Sequence, residues 1–159
     1  MEKNTIGFLE NLNLIDEKGV SNLSPLVLAF IGDAVYSLYI RTMIVAKESK
    51  PVNFLNKETV KYVKATAQAQ SIKRIYDFLT EEEKDIVRRG RNVKSNTMPK
   101  GVQVQAYRYA TGFEALLGYL YLKGEFERLK NIMELSMETI KVGEDYEKSK
   151  YNFWEKSSN

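Results

Sequence analysis

The sequence predicts an all-α fold, and three observations predict it. Apolar residues recur at helical spacing over much of the chain, no run alternates as a half-buried strand does, and the helix boundaries carry capping residues. The chain has 159 residues, enough for one domain with a substantial core. No Ser/Gly-rich linker, fixed-period repeat or low-complexity tract divides it. A single domain over 1–159 is expected, with a core from about 23 to 142 and a loosely organised tail from about 143 to 159.

The elements follow from their punctuation. Ser24 and Pro25 form an N-cap and a first-turn proline, so "SPLVLAFIGDAVYSLYI" opens a helix that should reach about Lys47. Apolar on all sides, that helix is expected at the centre of the molecule. From about Lys57 to Leu79, the residues Val60, Val63, Ala67, Ile72, Ile75 and Phe78 recur at roughly helical spacing among lysines and glutamines, which predicts one amphipathic outer helix. In "TEEEKDIVRRG", Thr80 and Glu83 stand in capping-box positions, acids fill the first turn and arginines the last, and Gly90 should end the helix. A second apolar helix should run from about Gln105 to Leu122, and Gly124 separates it from an amphipathic helix through "FERLKNIMELSMETIKV". Length and hydropathy alone would nearly let the first apolar run span a bilayer, but Asp33 in its middle, Pro25 and the polar remainder predict a protein without a membrane span. No secretion signal is recognisable at the N-terminus, so a cytoplasmic location is expected.

Composition narrows the chemistry. The chain contains no cysteine and no histidine, which excludes disulfides, thiolate zinc sites and any nucleophile that depends on a histidine base. Two carboxylates then draw notice, because Asp33 is the only charge from Ser24 to Ile40 and Glu114 the only one from Tyr109 to Leu122. The helical neighbours of Asp33 are Ala29, Phe30, Tyr36 and Ser37; those of Glu114 are Ala110, Thr111, Leu117 and Gly118. Neither acid has a lysine or arginine one turn away in its own helix, so each needs a cation, a donor or a proton from elsewhere. Brought together, the two would favour a divalent cation such as magnesium or manganese; kept apart, each could serve only to fix packing through a buried Asp–Arg or Glu–Tyr pair.

A third feature is charge. Between Val87 and Arg108 the chain has six basic residues, Arg88, Arg89, Arg91, Lys94, Lys100 and Arg108, and no acid. The whole chain is only +3, so the remainder is net acidic. Asn92, Ser95, Asn96 and Thr97 add neutral donors suited to phosphate and sugar oxygens, and the segment reads as a polyanion-binding loop. A solvated basic loop balancing acidic regions elsewhere is the plainer alternative, and Arg88 and Arg89 also suit the C-terminus of their own helix. Tyr107, Tyr109, Tyr119 and Tyr121 lie in or beside an apolar helix, where packing explains them better than base stacking.

These residues carry a resemblance. "FIGDAV" resembles the core of the ribonuclease III signature, and "TGFEALLGYLYL" resembles the second acidic helix of that endonuclease domain. Together, "LAFIGDAVYSLYIR", "LTEEEKDIVRRGRNVKS" and "YRYATGFEALLGYLYL" resemble the short Mini-ribonuclease III branch, in the expected order, from about Leu23 to Leu135. The resemblance implies a helical, homodimeric endonuclease domain without the separate double-stranded-RNA-binding domain of longer relatives. It further implies magnesium-dependent cleavage of double-stranded RNA to 5′-phosphate and 3′-hydroxyl ends, with manganese a substitute and 23S ribosomal RNA precursor the substrate of the branch. Carried over by motif, the aspartate of "GDAV" is Asp33 and the glutamate of "FEAL" is Glu114, the two catalytic, metal-binding acids. RNA binding falls to Arg88, Arg89, Arg91, Asn92, Lys94, Ser95, Lys100 and Arg108. Longer relatives carry further acids where this chain has Leu26, Ala29 and Thr111, so water and phosphate oxygens should supply the remaining metal ligands. A catalytically silent RNA-binding protein of the same fold, and a helical protein–protein adaptor, are the competing readings.

Overall fold

The computed structural model describes residues 15–94, 103–138 and 140, and every regular element among them is helical. In chain order these are α1 (Glu17–Asn22), α2 (Pro25–Lys47), α3 (Val52–Val63), α4 (Ala65–Ile75), a 3-10 turn (Tyr76–Phe78), α5 (Glu81–Asn92), α6 (Val104–Leu122) and α7 over 126–138. The expected all-α class holds. The tail from about 143 lies outside the described residues.

α6 is the hub, packed against α2, α4 and α5. Its Phe113, Leu116, Leu117 and Leu120 are fully buried, each stabilising the fold by about 1.5–3 kcal/mol relative to exposure. The deepest contact is the crossing of α2 over α6. A Cβ on Gly32 would fall 1.7 Å from the carbonyl oxygen of Glu114, and one on Gly118 would fall 1.9 Å from that of Leu28. Only hydrogen fits at either point, so the two backbones touch, and the residues beside the glycines are brought to the crossing with them.

The predicted caps hold. The Ser24 hydroxyl accepts from the Val27 amide at 3.3 Å, and α2 ends at Lys47 as expected. Thr80 and Glu83 form the reciprocal capping box of α5, at 3.2 and 2.9 Å. Glu83 is also gripped by Arg128 of α7 through two bonds, at 2.7 and 2.8 Å, so one buried acid both starts α5 and ties it to α7. Gly124 takes the left-handed conformation at φ 73° and ends the helical run before α7.

Four expectations need correction. First, α2 is not enclosed on all sides: Leu28, Ala29, Tyr36 and Ile40 face α6 and the core, whereas Leu26, Val27, Phe30, Leu38 and Val45 are exposed. Its apolar composition therefore records two faces, one covered within the chain and one open. Second, the single outer helix from Lys57 to Leu79 is three pieces. Lys64 turns out of the helix at ψ 147°, α3 begins earlier at Val52, and Val60 and Phe78 are exposed rather than core. α4 buries Ala67, Gln68, Ala69, Ser71, Ile72 and Ile75 against its neighbours, so it is an inner helix. Third, Gly90 does not stop α5, which runs to Asn92; a Cβ there would lie 2.8 Å from Gly112 Cα, so this glycine serves close packing. Fourth, α1 was not foreseen: its N-cap, Asp16, accepts from the Gly19 amide at 2.7 Å, and only Val20 is buried.

Candidate active site

The glycine crossing builds the site. Asp33 directly follows Gly32 on α2, and Glu114 stands one turn before Gly118 on α6. Asp33 is exposed, not buried as its apolar surroundings suggested; Glu114 is half-buried. Among the described residues no lysine or arginine forms an ion pair with either. Asp33 is instead near enough for its charge to act on Glu114. Burial, and next the charge of Asp33, push the Glu114 carboxyl up to about 8, while a hydrogen bond from the Gln68 side chain pulls the other way. Without a cation, Glu114 therefore holds a proton at neutral pH.

This arrangement suits a hard cation. It offers two carboxylates and, beside Glu114, the amide of Gln68, whose Oε1 is buried with no hydrogen-bond partner. All are oxygen donors, the type that magnesium, manganese and calcium prefer. No group of three or more His, Cys, Asp or Glu side chains stands together among the described residues, so water and substrate oxygens would have to complete the coordination. Thr111, where longer relatives carry an acid, is buried with its hydroxyl donating to the Tyr107 carbonyl at 2.9 Å.

The basic residues do not form one loop. Arg88 is exposed but paired with Asp85 on its own helix, and Arg89 is exposed in the last turn of α5. Arg91 lies over the Tyr109 ring at 5.5 Å and donates to the Tyr109 hydroxyl at 3.5 Å; its Nε donates to Asn92 Oδ1 at 3.4 Å. Lys94, exposed, is the last described residue before 95–102, and Arg108, also exposed, lies in the second turn of α6. Ser95 and Lys100, with Asn96 and Thr97, lie outside the described residues.

Two participants were missed. Lys73 of α4 approaches the other side chain in this group, with Nζ 4.4 Å from the Tyr109 centroid, so Tyr109 gathers cations from α4 and α5. Nothing in the local sequence pairs residues 73 and 91. Gln68 is different, for it stands four residues before Ile72 and seven before Ile75, and a glutamine in a core register was a readable signal. Tyr119 and Tyr121 pack as expected: Tyr119 is buried and donates to Glu82, and Tyr121 meets Phe126 edge to face at 6.0 Å.

Comparison with known proteins gives the same region a family context. Residues 26–125 match the family described as the ribonuclease III domain. A Mini-ribonuclease 3 of Thermoanaerobacter sp. (strain X514) is 79% identical over 140 residues, covering 88% of this chain and 99% of that protein. A Mini-ribonuclease 3 of Clostridium tetani (strain Massachusetts / E88) is 51% identical over 120 residues, covering 75% of this chain and 80% of that protein. A crystal structure of a protein from Fusobacterium nucleatum superposes with a TM-score of 0.67 at 35% identity, covering 74% of this chain and 93% of that one.

Proposed function

The chain belongs to the ribonuclease III domain family, in its Mini-ribonuclease 3 branch, and is therefore an endoribonuclease of a family acting on double-stranded RNA; within that frame we propose that Asp33 and Glu114 hold magnesium and are its catalytic acids. The carrying observation is that a crossing too tight for any Cβ brings Asp33 and Glu114 near one another, with neither paired to a lysine or arginine among the described residues. Fixing both acids on packed helices keeps them in place before substrate arrives. Manganese can substitute, since the donors are all oxygen.

When bound, the cation supplies charge that activates water against the phosphodiester and stabilises the departing 3′ oxygen. The chain's own residues do the rest. Asp33 and Glu114 orient their carboxylates, and Glu114 must first give up the proton that burial and Asp33 favour. Arg89, Arg91, Asn92, Lys94 and Arg108 present donors to phosphates and 2′-hydroxyls on both sides of residues 95–102, with Ser95 and Lys100 within that segment and Arg88 shared with Asp85. Lys73 joins this surface through Tyr109. Products are 5′-phosphate and 3′-hydroxyl ends, the working form is one domain over 1–159 acting as a homodimer in the cytoplasm, and the substrate is 23S ribosomal RNA precursor. The open apolar face of α2 supports the dimer.

The test compares native protein with Asp33→Asn and Glu114→Gln on a long RNA duplex, with magnesium and with chelator. Cleavage by native protein only with magnesium, and duplex binding without cleavage by both variants, is the expected result. Native protein that binds without cutting would make it a silent member of the fold; neither binding nor cutting would favour an adaptor.

A further inference from the structure

Gln68 is 1% exposed, on the face of α4 that packs against α6. Its Nε2 donates at 2.8 Å to the carbonyl of Val63, the last residue of α3, where the chain leaves the helix at Lys64. A helix end leaves such carbonyls short of partners, so one half of this amide has a structural task. The same side chain lies close enough to the Glu114 carboxyl to lower its proton affinity. The Val63 carbonyl sets which way the amide faces, because a flipped amide would put oxygen against oxygen there. What the fold does not account for is Oε1, which is buried with no hydrogen-bond partner. Such an orphan is costly, and capping the Val63 carbonyl does not account for it.

We propose that Gln68 is a positioning residue for RNA cleavage: anchored at the α3–α4 break, it holds the Glu114 carboxylate in place for the divalent cation. The proposal rests on the assignment of Asp33 and Glu114 as the metal acids. It extends the site to a third helix, since α2 supplies Asp33, α6 supplies Glu114 and α4 supplies the group that orients it. Partners that orient a metal ligand typically contribute about 10–100-fold in metal affinity or activity.

The experiment measures manganese binding by calorimetry on full-length protein without RNA, together with the magnesium dependence of duplex cleavage and the thermal midpoint. Gln68→Met keeps the volume and removes both amide groups. It should remain folded, bind manganese about tenfold or more weakly, and need correspondingly more magnesium for half-maximal cleavage. If it does not fold, Gln68→Asn, one methylene too short to bridge Val63 and Glu114, carries the same expectation. Native manganese affinity in a folded variant would overturn the proposal, and so would unfolding of both variants, which would make Gln68 purely structural. Glu114→Gln is the control for the underlying assignment. If it binds manganese like native protein, the metal site itself is misplaced; if it loses binding while Gln68→Met does not, only the role of Gln68 falls.

Discussion

Glu114 is the residue whose ionisation the fold opposes and the proposed chemistry requires. An ordinary carboxylate titrates near 4.3, whereas burial and Asp33 hold this one up at about 8. Between those values the native state binds a proton that the unfolded chain has released, so stability falls as pH rises. One such proton gives a slope approaching about 1.4 kcal/mol per pH unit. Urea unfolding in chelator at several pH values between 5 and 8 should therefore show native protein losing stability relative to Glu114→Gln. A constant difference between the two would mean that Glu114 is already ionised. Magnesium should reverse the trend, because a cation that displaces the proton binds more tightly as pH rises towards 8. Glu83 presents the opposite case, a buried acid satisfied within the chain. Arg128→Met would leave it without its cation and should destabilise the protein by about 3 kcal/mol, measured by the same unfolding method.

At the scale of elements, the site depends on how closely α2 and α6 can approach. Gly32→Ala would place a methyl group 1.7 Å from the Glu114 carbonyl oxygen, where the obstacle is backbone and cannot rotate away. The helices must separate, with a loss of about 3 kcal/mol or more and of cleavage at the same time. Near-native stability and activity in that variant would contradict the crossing. Much of this level was legible in the sequence, because Ser24, Pro25, Thr80, Glu83 and Gly124 mark boundaries through local chemistry that survives any tertiary context. What was not legible depends on contacts between distant segments. Gly90 looked like a stop because the Gly112 backbone that it meets lies on another helix. The break at Lys64 was hidden because one continuous helix satisfies the same apolar spacing. The pairing of Asp33 with Glu114 came from motif resemblance, since spacing alone left them free to be unrelated buried acids. Arg91 and Lys73, which meet only across Tyr109, had no common signal at all.

For the whole molecule, the proposed homodimer turns on the open side of α2. Val27, Phe30, Leu38 and Val45 follow one another at steps of three, eight and seven, and hence share a stripe, with Phe30 78% exposed. Asp33 lies beside that stripe, so covering it with the same stripe of a second copy would bring two sites into one assembly related by twofold symmetry. Each copy would then contribute its cations to one RNA duplex, and binding would fall steeply with salt because every neutralised phosphate releases counterions. Phe30→Glu tests this without touching either acid. Sedimentation should show native protein as a dimer and the variant as a monomer that remains helical by circular dichroism. The logarithmic dependence of duplex affinity on salt should become markedly shallower in the variant, since half of the phosphate contacts are lost. A variant that stays dimeric would place the interface elsewhere. A variant that becomes monomeric yet keeps the full salt dependence would mean that one copy carries the whole RNA surface, and that pairing serves a purpose other than affinity.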